Sequence, residues 1–231
     1  AGSTAPTGGL VGYWSFDEGN GDIVKDSVDG MTGEVIGATF RPGVKGSALY
    51  LDGADDYVRM SQKAFDRISA LPGGTISFWF KFESLLDTQS IMPIFYLGMA
   101  DERDSDNILI IEVGHFKQGQ LRERDPGNKR LYSTFIRNNG HPFLCLDSGR
   151  SMEEGRWMHY ALVSAPGGTN VFINGEGVPD SRNFGRKSDR YFMRDVPNTE
   201  VLFIGKGKTS SMVTPGFVFY KGMIDELRVY D

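Results

Sequence analysis

A chain of 231 residues with 39% hydrophobic and 12% aromatic side chains can bury a sizeable core, which excludes an intrinsically disordered segment. A formal net charge of -5 gives no basic field, so nucleic acid is not an expected partner, and no apolar run reaches the ~18 residues needed for membrane insertion. Thirty Gly and ten Pro spread along the chain point to short strands and tight turns, and the single cysteine, Cys145, excludes an intrachain disulfide framework.

Residues 1–9 are small, polar and Gly/Pro-containing and are expected to form a linker or processed terminus, leaving 10–231 as one domain. Strands are expected where apolar residues alternate between turn residues: 11–16, 46–51, 57–60, 75–82, 91–97, 107–113, 131–137, 143–146, 157–164, 169–173, 201–205, 217–220 and 224–230. The clearest is 75–82, where Ile76, Phe78, Phe80 and Phe82 share one face and Ser77, Trp79 and Lys81 the other. Runs 157–164 and 169–173 read as a hairpin, and Asn174-Gly175 supplies a type I′ turn after it. The best helical candidate, 62–70, is short and ends against Leu71, Pro72 and Gly73. So many strands without long helices must close their hydrophobic faces on one another, and the expected fold is all-β, with two packed antiparallel sheets. Within the apolar run 143–146, Cys145 reads as a buried small hydrophobe. No Asn-x-Ser/Thr sequon is present, which for an exported protein fits a bacterial source.

Four segments carry a family resemblance: Leu10-Val-Gly-Tyr-Trp-Ser-Phe-Asp-Glu-Gly19; Gly46-Ser-Ala-Leu-Tyr-Leu-Asp-Gly-Ala-Asp-Asp-Tyr-Val58; Gly155-Arg-Trp-Met-His-Tyr-Ala-Leu-Val163 with Val171-Phe-Ile-Asn-Gly175; and Phe219-Tyr-Lys-Gly-Met-Ile-Asp-Glu-Leu-Arg-Val-Tyr230. In this order they resemble the laminin G-like branch of the concanavalin A-like lectin and glucanase superfamily. The match is poor over 99–150, where this chain carries Arg- and Asp-rich loops. The resemblance implies a concanavalin A-like jelly roll and a noncatalytic carbohydrate-binding or adhesive module of a larger extracellular bacterial protein, secreted or at the cell surface, with a structural calcium. Its partners would be a glycan and the neighbouring domains of the parent chain.

The residues allow a separate chemical reading. Asp225 shares parity with Leu227 and Val229, so strict alternation aims its carboxylate at the apolar side, where it needs a partner. Asp17, Asp52, Asp55 and Asp56 lie at strand ends, and calcium takes six to eight hard oxygen ligands from such loops. Asp17, Asp52, Asp56 and Asp225 are the candidate ligands; the alternative is that these residues cap turns. No catalytic residue is assigned. Glu123, Asp125 and Asn128 are the nearest approach to a glucanase Glu-x-Asp-x-x-Glu strand and lack its last carboxylate, while His115, His141 and His159 have no metal spacing. For a glycan, Trp79 is a candidate that packing could equally claim. In the loop 182–194, Arg182, Phe184, Arg186, Arg190 and Tyr191 combine guanidinium groups with aromatic faces, a set suited to anionic sugars unless the loop is simply solvated and ion-paired. Two rival functions remain at this level: a structural or protein-interaction accessory domain, and a polysaccharide hydrolase or lyase.

Overall fold

The computed structural model describes residues 9–84, 91–101, 107–114, 116–117, 120–124, 129–137, 141–178, 182–208 and 216–231. The expected tail, 1–9, falls outside them but for Gly9. The first half of the chain forms β1 (Leu10–Trp14), β2 (Ile23–Lys25), β3 (Thr32–Ile36), β4 (Thr39–Pro42), β5 (Ser47–Asp52), β6 (Tyr57–Met60), helix α1 (Gln62–Ser69), β7 (Gly74–Phe82), β8 (Ile91–Gly98) and β9 (Ile108–Gly114). The second half adds β10 (Phe116–Lys117), β11 (Gln120–Arg124), β12 (Arg130–Arg137), β13 (His141–Asp147), β14 (Met158–Ala165), β15 (Gly168–Ile173), β16 (Glu176–Gly177) and β17 (Arg182–Phe184). After a 3-10 turn at Met193–Asp195 come β18 (Val201–Ile204), β19 (Lys206–Gly207), β20 (Val218–Phe219) and β21 (Lys221–Tyr230).

Two antiparallel sheets form a sandwich, as the strand pattern required. The first runs β16-β15-β14-β7-β21-β5-β4, with β1 also on β21; the second runs β17-β13-β12-β9-β8-β18-β6-β3-β2. Between them lies the core predicted from alternation: Ile76, Phe78, Phe80 and Phe82 of β7 are all at 0% exposure and share one cluster with Leu109, Ile111 and Val113 of β9. Each such side chain withdrawn from water contributes roughly 1.5–3 kcal/mol. A polar link crosses the core, since Tyr160 of β14 and Ser133 of β12 share a 2.6 Å hydroxyl hydrogen bond. That bond joins the two sheets and satisfies both groups.

The second sheet is also covered on its outer face. Ile108 and Ile110 alternate with Leu109 and Ile111 and join a separate buried cluster with Tyr96, Tyr132, Cys145 and Phe203. Burial on both faces explains why β9 opens on an unbroken apolar run. Cys145 is buried, as its apolar neighbours implied, and in no disulfide; its Sγ lies 3.4 Å from Thr134 Oγ1. Trp79, on the outer face of the first sheet, stays half-buried and meets His159 edge-on at 5.2 Å.

The weak helical signal at 62–70 becomes α1, eight residues long. Ala64 and Ile68, one turn apart, are its buried positions, and Ser61 caps it by accepting the Ala64 N–H. Ser61→Ala is expected to cost about 1 kcal/mol in urea denaturation; an unchanged midpoint would show that the cap contributes nothing.

Alternation fails at one functionally important place. Glu226 adopts a left-handed φ of 54°, and the register of β21 against β7 shifts between Asp225 and Arg228. Such a bulge inserts a residue and turns the side chains after it to the other face. Ile224 stands opposite Phe80, and Leu227 and Val229 return to the core, but Asp225 stands opposite Trp79. The parity expectation for Asp225 is therefore corrected: its carboxylate is fully buried, yet it lies on the outer face, beneath the turn that joins β4 to β5.

Candidate functional site

The four carboxylates expected to share a metal fall at opposite ends of β5. At the Ser47 end, Asp17 Oδ1 accepts the Ser47 N–H at 2.8 Å, and Asp225 Oδ2 accepts the N–H groups of Val44 and Lys45 at 2.8 and 3.2 Å. Glycines make this approach possible. A Cβ on Gly43 would lie 2.5 Å from Asp225 Oδ2, and one on Gly46, whose φ is 62°, would collide with the Asp17 carboxylate. Among the described residues Asp225 Oδ1 is buried without a hydrogen-bond partner, and desolvation raises the group's pKa to about 6 against the lowering effect of its backbone donors. At the Asp52 end, Asp56 Oδ2 accepts the Asp52 N–H at 3.0 Å and Asp52 Oδ1 accepts the Ala54 N–H at 2.8 Å. Carboxylate oxygens of Asp52, Asp55 and Asp56 approach within 4.8 Å of one another, and burial pushes the Asp56 pKa up. The ends of a six-residue strand are about 17 Å apart. One ion cannot reach all four carboxylates; the structure sets Asp17 and Asp225 against the same turn between β4 and β5 and joins Asp52 to Asp56. Both groups offer the hard oxygen donors a calcium ion takes; the first adds a buried oxygen with no hydrogen-bond partner among the described residues, and the second adds three carboxylates within reach of one another.

In the basic loop, the side chains of Arg182 and Phe184 lie outside the described residues, although their strand pairs with Cys145 and Leu146. Arg186 and Arg190 are exposed; Asp189 accepts the Arg186 N–H at 2.7 Å, and the Arg190 guanidinium lies over Gly73. Tyr191 is held in place by packing. Its N–H donates to Thr169 Oγ1 at 2.9 Å, its carbonyl accepts from that hydroxyl at 2.8 Å, and its ring meets Phe143 edge-on at 4.7 Å.

A feature that sequence reading missed lies on the outer face of the second sheet. Tyr96 and Phe203 stack there at 6.1 Å, Phe217 stands edge-on to both, and the Lys206 ammonium sits 4.2 Å from the Tyr57 ring centroid and 4.8 Å from that of Phe217. This plug closes the middle of the face. Toward β2 and β3 the same face opens into a pocket of about 280 Å³ beside α1, where Glu34 and Arg59 stand directly opposite each other. Arg59 follows the exposed phase of β6 and could have been noticed. Its partner strand β3 carries no clear alternating signal in the sequence, so the juxtaposition was not legible.

Glu112 of β9 was also missed. It is 3% exposed, its Oε2 has no hydrogen-bond partner among the described residues, and burial alone raises its pKa to about 8. It stands opposite Tyr132, which stands opposite Asp147, and Asp147 is ion-paired with Arg130 at 3.4 Å. The two carboxyls of this row are 3% and 4% exposed, closed to a polymeric substrate.

The sequence profile of the concanavalin A-like lectin/glucanases superfamily matches residues 52–231. No curated protein matches along the sequence. Among solved structures, the chain is similar to domain 4 of AbnA, an extracellular GH43 arabinanase from Geobacillus stearothermophilus in complex with arabinotriose, at 18% identity and a TM-score of 0.58, covering 97% of this chain and 93% of that domain. It is similar to the CBM40 of the Ruminococcus gnavus IT-sialidase bound to α2,3 sialyllactose, at 15% identity and a TM-score of 0.57, covering 79% and 88%. A mutant Trypanosoma rangeli sialidase displaying trans-sialidase activity matches at 16% identity and a TM-score of 0.62, but this chain spans 32% of its length.

Proposed function

The chain belongs to the concanavalin A-like lectin/glucanase superfamily, and on that basis we propose that it is a noncatalytic carbohydrate-binding module with a structural calcium ion. One observation carries the reading: the fold matches, nearly end to end, a domain seen with arabinotriose, whereas it spans about a third of a matched sialidase. The part held in common with such an enzyme is then a domain-sized portion and not the whole catalyst. Burial of the Glu112 and Asp147 carboxyls supports the same side, because a glycosidase needs two carboxyls that its substrate can touch. Exposed Arg186 and Arg190 keep anionic glycans within the class of ligands. An extracellular or cell-surface location, beside other domains of a parent protein, accompanies this reading.

Asp17 and Asp225 would hold the calcium, which when bound supplies the positive charge that the buried carboxylate lacks. Calorimetric titration with an oligosaccharide panel is expected to give binding, and incubation with polysaccharides is expected to release no reducing ends. Absence of binding across the panel removes the lectin reading, and release of reducing ends or unsaturated products removes the noncatalytic one. Calcium added to chelator-treated protein is expected to raise the melting temperature by several degrees; an unchanged melt would remove the metal.

A further inference from the structure

We infer that the pocket between α1 and the β2–β3–β6 end of the second sheet binds a single neutral sugar unit through two adjacent hydroxyls. This rests on the carbohydrate-binding reading and adds the place and the class of sugar. The pocket is bounded by two kinds of surface. Ile23, a large hydrophobic 53% exposed on the edge strand, and the half-buried Phe65 of α1 supply apolar faces for the C–H side of a sugar ring. Glu34 and Arg59 supply planar hydrogen-bonding groups from adjacent strands.

The unusual feature is that these two do not pair with each other. Opposite charges directly across an antiparallel pair have Cβ atoms about 5 Å apart and ordinarily join. Here Glu34 makes no hydrogen bond or ion pair among the described residues, and the Arg59 guanidinium leans instead toward the Phe203 ring, 5.9 Å from its centroid. An acceptor and a forked donor thus face the same recess with their valences open. Two hydroxyls on neighbouring ring carbons meet that arrangement, one donating to the carboxylate and the other accepting from the guanidinium.

Charge selects the sugar. Glu34 and Glu200 place two carboxylates on the wall against the single guanidinium of Arg59, so a sulfated or carboxylated sugar would be repelled. Size limits it further: about 280 Å³ is just below the roughly 300–1,000 Å³ of pockets for drug-sized ligands, room for one unit of a chain whose remainder stays in solvent. The pocket differs in sign from the basic loop at Arg186 and Arg190, and the two can be tested apart.

The test is titration of the whole chain with arabinotriose, cellotriose, chitotriose and α2,3-sialyllactose, by calorimetry and by amide NMR shifts, for the wild type, Glu34→Gln, Arg59→Ala and an Arg186→Ala/Arg190→Ala control. Both pocket positions are exposed, so melting temperatures should match the wild type. At least one neutral trisaccharide should bind with shifts centred on residues 32–34, 59–62 and 200–201, and each pocket variant should weaken it about tenfold, with the loop control unaffected. Neutral-sugar binding that survives both pocket substitutions overturns the site and leaves the lectin reading standing. Binding of sialyllactose alone overturns the neutral class. Failure of every sugar overturns both.

Discussion

Glu112→Gln is expected to stabilise the protein by on the order of 4 kcal/mol at pH 9 while changing it little at pH 5. The carboxyl is buried in β9 with desolvation as the sole cause of a pKa raised from 4.5 to about 8. The sign follows from which state holds the proton. Below pH 4.5 the group is neutral in both folded and unfolded chains and costs nothing. Between 4.5 and about 8 the unfolded chain releases its proton and the folded one does not, so stability falls as pH rises. Above pH 8 the folded protein must bury an anion opposite Tyr132. The amide of Gln is nearly the same shape and never ionises. Urea denaturation at pH 5, 7 and 9 should give a wild-type stability that declines and a variant stability that stays level. Parallel curves for the two proteins would mean that Glu112 is not the source.

Legibility followed the strength of the local pattern. Phe78, Phe80 and Phe82 announce β7 because a strand buried on one face writes its burial into every second residue. Strands β2 and β4 are edge segments of three and four residues, mostly exposed, and leave no such imprint. The chemistry was less readable because it depends on register. Glu34 and Arg59 are 25 residues apart and become neighbours only when β3 pairs with β6. Asp17 and Asp225 both accept N–H groups from the turn between β4 and β5, which belongs to neither of their segments. The bulge at Glu226 shows how one residue with a left-handed backbone can cancel a parity argument, since nothing in Asp225-Glu226-Leu227 announces it. Asp52 and Asp56, named as candidate ligands with turn-capping as the alternative, cap a turn in the structure and with Asp55 bring three carboxylates within reach of one another.

Asp225→Asn should abolish the rise in melting temperature that calcium is expected to bring, while in the calcium-free protein the weakened hydrogen bonds are offset by removing a carboxylate whose burial raises its pKa to about 6. The carboxylate accepts two backbone N–H groups through one oxygen, and such charge-assisted bonds are roughly twice as strong as neutral ones. An amide of the same size keeps at most the neutral form of those bonds. It also places an NH₂ group where Oδ1 now lies buried without a partner, which adds a donor that nothing receives. In the calcium-loaded protein the loss is larger, because an ion at 100 times its Kd contributes about 2.7 kcal/mol that the variant forfeits. Asp52→Asn, at the other end of β5, separates the two effects: it should leave the calcium response intact, since its carboxylate lies too far from Asp17 to share an ion with it. Melting of the three proteins with chelator and with excess calcium decides the matter. A calcium response that survives in Asp225→Asn and vanishes in Asp52→Asn would move the ion to the Asp52, Asp55 and Asp56 cluster. A response lost in neither would show that the Asp225 carboxylate ties the bulge to the turn over β5 by backbone hydrogen bonds alone.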